Sequence, residues 1–306
     1  MKPAWSVILL TTLAGAGQGL FLALVAVEVF GEAPPGFFVT GAALALGLLA
    51  AGLAASFFHL GHPERAWRSA AMWRSSWLSR EVIVLPAFMA AVAAYGLSHY
   101  FPVEQSYSLW IGAAGAALCI ALFVCTGMIY ACLPFLQEWR TPLTVVNFIA
   151  FGCASGATAA AVLAALLHAP LARPLAAAAL VLGAFAYLGR LAALARNARL
   201  RPKSTLATAI GVKHPKIVQI AQGAMGGSFN TREFFHGRPR EVLRAVRWSF
   251  LVLMFPVPAL LLFVADNSIW VLGAAFLIQY AGLLAERWYF FAEARHPQNL
   301  YYQAIA

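Results

Sequence analysis

Charged side chains are scarce in this sequence. Asp, Glu, Lys and Arg make up 10% of 306 residues, where a soluble globular domain carries about a quarter. That deficit excludes an ordinary water-facing surface. Acidic groups are scarcer still: 11 Asp and Glu stand against 21 Lys and Arg, a formal net charge of +10. Cysteine is nearly absent. Cys119, Cys125, Cys132 and Cys153 show neither CxxC spacing nor pairing with nearby histidines, so an iron–sulfur or zinc site in this chain is unsupported and the four read as small apolar fillers.

What the sequence has instead is apolar residues, 62% of the total, gathered in long runs. A run of about 20 spans a hydrocarbon core of roughly 30 Å. Eight such runs are present: Val7–Phe30, Phe37–His59, Val82–Ser98, Ser108–Ala131, Leu143–His168, Leu175–Leu194, Trp248–Ala265 and Ile269–Phe291. Lipid cannot hydrogen-bond free backbone groups, so these runs must be helical. The expected fold is all-α, a polytopic integral membrane protein with eight transmembrane helices. Lys2 ahead of the first run imitates a secretory signal, but the run is too long and no convincing small-residue cleavage site follows, so it reads as a retained helix.

The basic residues fall almost entirely on one face. Lys2, Arg65, Arg68, Arg74, Arg80, Arg140, the series from Arg190 to Arg247, Arg287 and Arg295 share it, and Arg173 alone lies on the other. By the positive-inside rule the crowded face is cytoplasmic and both termini are inside a bacterial inner membrane. Attraction to anionic headgroups accounts for part of this asymmetry, but not for the long connection Arg196–Arg247. That connection carries Lys213 and Lys216, then Phe229, Arg232, Phe234 and Phe235. Disordered linkers are poor in aromatics, so it reads as an ordered docking surface for a soluble partner, with Arg65, Arg68 and Arg74 contributing from the helix 2–3 connection.

Most ionisable groups near helix ends are interfacial anchors. Glu28, Glu32, Glu104 and Asp266 sit at the outer ends, where solvation is expected. His99 and His168 lie near that outer boundary and carry little weight. Arg287 reads as an anchor of helix 8. The inner junction of helices 2 and 3 differs, because antiparallel neighbours bring His59 and Glu81 to one depth on one side. Reducing a quinone consumes electrons and protons together, so its site needs hydrogen-bonding groups and a titratable proton carrier; burial shifts such groups toward neutral pH. The bland alternative has Ser79 capping helix 3, Glu81 favouring its positive N-terminus and His59 satisfying a carbonyl. Gln18, halfway through helix 1, reads either as an interhelical hydrogen bond between small-residue faces or as part of a quinone pocket. No second histidine faces His59 at matching depth, so no haem is expected.

His59-Leu60-Gly61-His62-Pro63-Glu64-Arg65-Ala66 followed by Ser76-Trp77-Leu78-Ser79-Arg80-Glu81 resembles the membrane-anchor subunit family of dimethyl sulfoxide reductase, related to the polysulfide and nitrite reductase membrane subunits. Gly17-Gln18, Trp139-Arg140-Thr141-Pro142 and Ala281-Gly282 with Arg287 extend the resemblance over essentially the whole chain. It implies two four-helix bundles, residues 1–131 with the quinone site and 132–306 with the long loop 197–246. It also implies no haem or metal in this chain, and partners carrying iron–sulfur clusters and molybdopterin. The family's quinol-site histidine and glutamate fall on His59 and Glu81, with Gln18, Trp77, Ser79 and Arg80 around them. Gly226-Gly227-Ser228-Phe229-Asn230-Thr231-Arg232-Glu233-Phe234-Phe235-His236-Gly237 is more similar to the anchors of cytoplasmic sulfite dehydrogenases.

The expected function is therefore electron transfer between a docked iron–sulfur subunit and ubiquinone or menaquinone, with sulfite as the distant reductant. The alternative within the family is a dimethyl sulfoxide or similar reductase anchor that oxidises quinol. A different class, a secondary transporter, calls for repeats and a polar site at the bilayer midplane. No convincing repeat is present, and the charged candidates sit at one interface.

Overall fold

The computed structural model describes residues 1–101, 105–214, 216–218, 220 and 233–300, the side chains of Gln105 and Ser106 excepted. Among the described residues the protein is an all-α polytopic membrane protein with eight spans. Six are single helices: α1 (Trp5–Phe30), α2 (Pro35–Phe57), α3 (Trp77–Tyr100), α4 (Gln105–Ala131), α5 (Pro142–Leu167) and α6 (Ala172–Ala198). The seventh span is divided into α7 (Arg240–Leu253) and α8 (Pro256–Val264), and the eighth is α9 (Ile269–Glu293).

Two boundaries differ from the hydropathy reading. α3 begins at Trp77, ahead of Val82, because Ser76 caps it by accepting the Ser79 N–H at 3.3 Å. The cap is thus Ser76 rather than Ser79. α7 begins at Arg240, so the end of the predicted loop 197–246 is helix. Its first turns carry Arg240, Arg244 and Arg247, which lower hydropathy without opposing helix formation.

α1 and α5 form the centre. Of their most apolar windows 61% and 72% are buried, against 28–39% in the other spans. Between them, backbone meets backbone: a Cβ on Gly19 would lie 1.9 Å from Gly152 O, and one on Gly156 2.1 Å from the Gly19 carbonyl carbon. With no hydrophobic drive between helices in lipid, small residues that permit this approach supply the packing. Trp270, Phe263 and Val181 lie exposed on the outer surface of the helices, as lipid-facing side chains do.

Met1 donates its amine to Ala294 O at 2.9 Å, next to the end of α9. The face bearing it and the α2–α3, α4–α5 and α6–α7 connections is called the terminal face; the opposite one is the hairpin face. The break in the seventh span, at Met254–Phe255 ahead of Pro256, packs on α9. A Cβ on Gly282 would stand 2.4 Å from the Met254 N, and the Phe255 ring lies against Tyr187 at 4.7 Å between centroids.

Candidate functional site

The α2–α3 connection folds as a 3-10 helix, Pro63–Met72, on the terminal face. Arg65, Arg68 and Arg74 are exposed there, and Trp67 and Trp73 lie open beside them. Arg80 turns back to this connection. It stacks on Trp77 at 4.3 Å and donates to Trp73 O at 2.9 Å and Arg74 O at 2.7 Å. Its charge therefore completes the end of the 3-10 helix. Ser79 is buried in the first turn of α3.

Glu81, one residue on, faces α4 and accepts a hydrogen bond from Thr126 Oγ1. Its side chain is half-buried. Behind it lies a cavity of about 20 Å³ whose polar wall is Thr11, Thr12, Gln18, Glu81, Thr126 and Arg287 and whose remaining lining includes Leu85, Leu122, Phe123, Phe148, Phe151 and Leu283. That volume holds about one water. On α1 the lining runs from Leu10 to Gln18, about 12 Å of helix. Gln18 is 2% exposed and donates from Nε2 to Cys119 O at 3.1 Å. Its interhelical bond and its place in a cavity wall coexist.

Arg287 corrects the sequence reading. It is 3% exposed and is no interfacial anchor. Its guanidinium lies over Phe148 at 3.8 Å, and its Nε meets Glu286 Oε2 at 3.2 Å. Arg190, placed by charge counting on the basic face, is likewise buried, with Nε 2.9 Å from Glu286 Oε1 and Nη2 3.7 Å from Glu293 Oε2. A charge taken out of water requires such pairing.

Gln18 and Glu81 thus share one cavity wall with Arg287, Thr126, Thr11 and Thr12. His59 does not line it; it is exposed in the turn after α2. Trp77, Ser79 and Arg80 are also absent from the wall. Arg287 had a signal in the sequence, being an intramembrane arginine among aromatics. Thr126 had none.

On the hairpin face Glu28 is buried rather than solvated. It accepts from Ser108, and His99 Nε2 stands 3.4 Å from its Oε1. The His99 ring stacks on Phe38 at 4.3 Å and meets Tyr95 edge-on at 4.7 Å.

On the terminal face a vestibule of about 1120 Å³ is lined by Phe234, Phe235, His236, Glu138, Asn197 and Glu293 among others. Phe234 stacks on His296 at 3.7 Å. Burial pushes the His236 and His296 imidazoles down from their ordinary range, and the positive amino terminus adds to it. Lys213 and Lys216 are exposed. Phe229 and Arg232 lie outside the described residues, as does Glu104.

Two comparisons with known proteins cover essentially the whole chain. The family model for the DMSO reductase anchor subunit (DmsC) matches residues 1–302. A sulfite dehydrogenase subunit of Allochromatium vinosum is 54% identical over 327 aligned positions spanning 100% of both chains.

Proposed function

This chain belongs to the DMSO reductase anchor-subunit family, and from that premise we propose that it is the quinone-reactive anchor of a molybdopterin and iron–sulfur oxidoreductase. The observation that supports a redox site in this chain is the half-buried Glu81 in front of a water-sized cavity walled in part by Gln18 and Arg287. The direction is quinone reduction, with sulfite oxidised to sulfate on a partner subunit, by analogy with the named relative.

The residues suit a quinone headgroup. Such a group accepts two electrons and two protons at two carbonyl oxygens on an apolar ring. Half-buried Glu81, when protonated, is a donor with Thr126 beside it, and Gln18, Leu85, Leu122 and Phe123 back them in the buried cavity wall. The enclosed space takes one water, not a ring, so this reading sets the ring against the open side of Glu81. Glu81 holds or passes a proton there. His59, exposed at the end of the neighbouring helix, is the second proton-exchanging group, at the mouth. Trp77, Ser79 and Arg80 fix the first turn of α3 and thereby the direction of Glu81.

The docking surface is the terminal face, taken as cytoplasmic from its excess of basic residues. Arg65, Arg68 and Arg74 stand exposed on one side, and Lys213 and Lys216 with half-buried Phe234 and Phe235 on the other. An iron–sulfur subunit seated there brings its clusters toward Glu81, and the molybdopterin subunit lies beyond it. A twin-arginine export signal on the catalytic partner would reverse this orientation.

One feature favours a transporter: the broken seventh span. Its break, however, is filled by Gly282 and by the rings of Tyr187 and Phe151 rather than lining a polar site.

The test is Glu81→Gln in the complex purified with its partners. The complex should assemble, and quinone turnover should fall at least about tenfold, as expected when a positioned acid–base group is lost. Unchanged quinone kinetics would remove the site from this carboxylate.

A further inference from the structure

A second polar space lies directly behind the first. Its volume is about 10 Å³, the lower limit for one water, and Glu138, Asn147, Arg190, Asn197, Glu286 and Arg287 line it. Arg287 and Phe148 belong to both walls, so the two spaces are neighbours. Glu138 and Asn197 belong to this second space and also to the vestibule on the terminal face. Three spaces therefore follow one another from Glu81 to that face. α9 runs along all of them with Leu283, Glu286, Arg287, Phe290 and Glu293, residues at helical spacing over about 15 Å.

Two observations distinguish this line from imperfect packing. Asn147, 5% exposed, donates from Nδ2 to Gly189 O at 3.3 Å, while its Oδ1 has no donor among the described residues. A buried acceptor left bare is costly, and a water in the adjoining space would satisfy it. The second observation is charge balance. The two guanidiniums of Arg190 and Arg287 are matched by the two carboxylates of Glu286 and Glu293, all within ion-pair distance of a partner. A proton passing Arg287 thus meets no uncompensated positive charge.

We propose that these spaces form the proton route between Glu81 and the terminal face, with one water on each side of Arg287 and Glu138 exchanging protons at the outer end. The proposal rests on the assignment of Glu81 as the carboxylate that serves the quinone. A ring seated on the open side of Glu81 blocks its direct contact with bulk water, and the spaces behind it remain. Each quinone reduced takes two electrons from the partner's iron–sulfur group and two protons from this side. Glu81 gives up its proton to a ring oxygen and regains one from the water behind it. In the opposite direction the same two protons leave outward. Glu286, clamped between Arg190 and Arg287, acts as a positioning residue.

The experiment uses the whole complex in proteoliposomes and follows quinone reduction in H₂O and in D₂O. Glu138→Gln, at a half-buried position outside the helices, should slow turnover roughly tenfold, less than the ~10² of a directly positioned acid because water partly replaces it. The KM for quinone should stay unchanged, the slowing in D₂O should grow, and imidazole or formate added as a proton carrier should restore the rate. Asn147→Leu, which fills the second space, should give the same slowing without rescue. Wild-type rates in both variants, or slowing with neither a larger isotope effect nor rescue of Glu138→Gln, would overturn the route. Glu81→Gln run beside them separates the two ideas. If it alone slows turnover, the route falls and the site stands; if it too is silent, the site assignment falls and the route falls with it.

Discussion

Two carboxylates near opposite faces of the membrane make an instructive pair. Glu28, near the hairpin face, is 7% exposed and is closed in by His99, Ser108 and the rings of Phe38 and Tyr95. Glu81, near the terminal face, is half-buried and borders a water-sized space that Arg287 also lines. Both are acids withdrawn from water, and both touch α4, through Ser108 and Thr126. The difference is connection. Glu28 ends in a closed contact with His99 that pins α1 to α3, while Glu81 is half-buried beside a water-sized space with a polar wall. A buried acid becomes a candidate for proton chemistry when a proton has somewhere to come from.

The sharpest way to break this contrast is to disturb the charges behind Glu81. Arg190→Ala removes one of the two arginine partners of Glu286 and the guanidinium beside Glu293, and should cost about 3–5 kcal/mol, the usual penalty for opening a buried pair. Thermal unfolding of the detergent-solubilised protein measures it. A shift no larger than that of an exposed variant such as Arg173→Ala would mean that the network is hydrated and contributes little. Glu81→Gln should do the reverse. Its effect is on turnover, at least about tenfold, with the unfolding midpoint nearly unmoved, since the amide retains an acceptor for Thr126. A large loss of stability without a kinetic defect would make Glu81 a second structural pin like Glu28.

Hydropathy alone located all eight spans, because the membrane imposes length and apolarity on each helix independently of its neighbours. Azimuth was harder to read. Depth along a helix does not say whether a side chain faces lipid, headgroups or another helix, so Arg287 and Glu28, both near helix ends, read from sequence as interfacial. Their burial depends on partners far away in sequence: Arg287 lies over Phe148, and Glu28 meets His99 and Ser108. The close crossing of Gly19 with Gly152 and Gly156 was equally invisible, since small residues are frequent throughout these helices. At the site, Gln18 and Glu81 were readable as polar groups in apolar runs. Thr126 and Asn147 were not, because such side chains commonly satisfy themselves within their own helix.

Glu28→Gln probes the closed side. Loss of the carboxylate beside His99 and Ser108 should lower stability by about 1–3 kcal/mol, the range for an unsatisfied buried polar group, and leave quinone turnover at the wild-type rate. If turnover in the assembled complex fell as far as in Glu81→Gln, the hairpin-face cluster would belong to the proton chemistry. The contrast between the two carboxylates would then be one of position only.

The smallest effect is expected at His59. Its sequence position beside Glu81 suggested an equal partnership, yet its side chain is exposed after α2 and takes no part in the cavity wall. An exposed imidazole exchanges protons with water whatever its neighbours do, and bulk water replaces it at modest cost. His59→Ala should therefore slow quinone turnover by roughly twofold to fivefold, short of the loss at Glu81, because water competes most effectively with a general acid that it surrounds. Adding imidazole to the variant should recover most of that deficit. A defect as deep as that of Glu81→Gln, and unresponsive to imidazole, would instead place His59 in direct contact with the ring and move the centre of the site from the α1–α3–α4 cavity toward the α2–α3 turn.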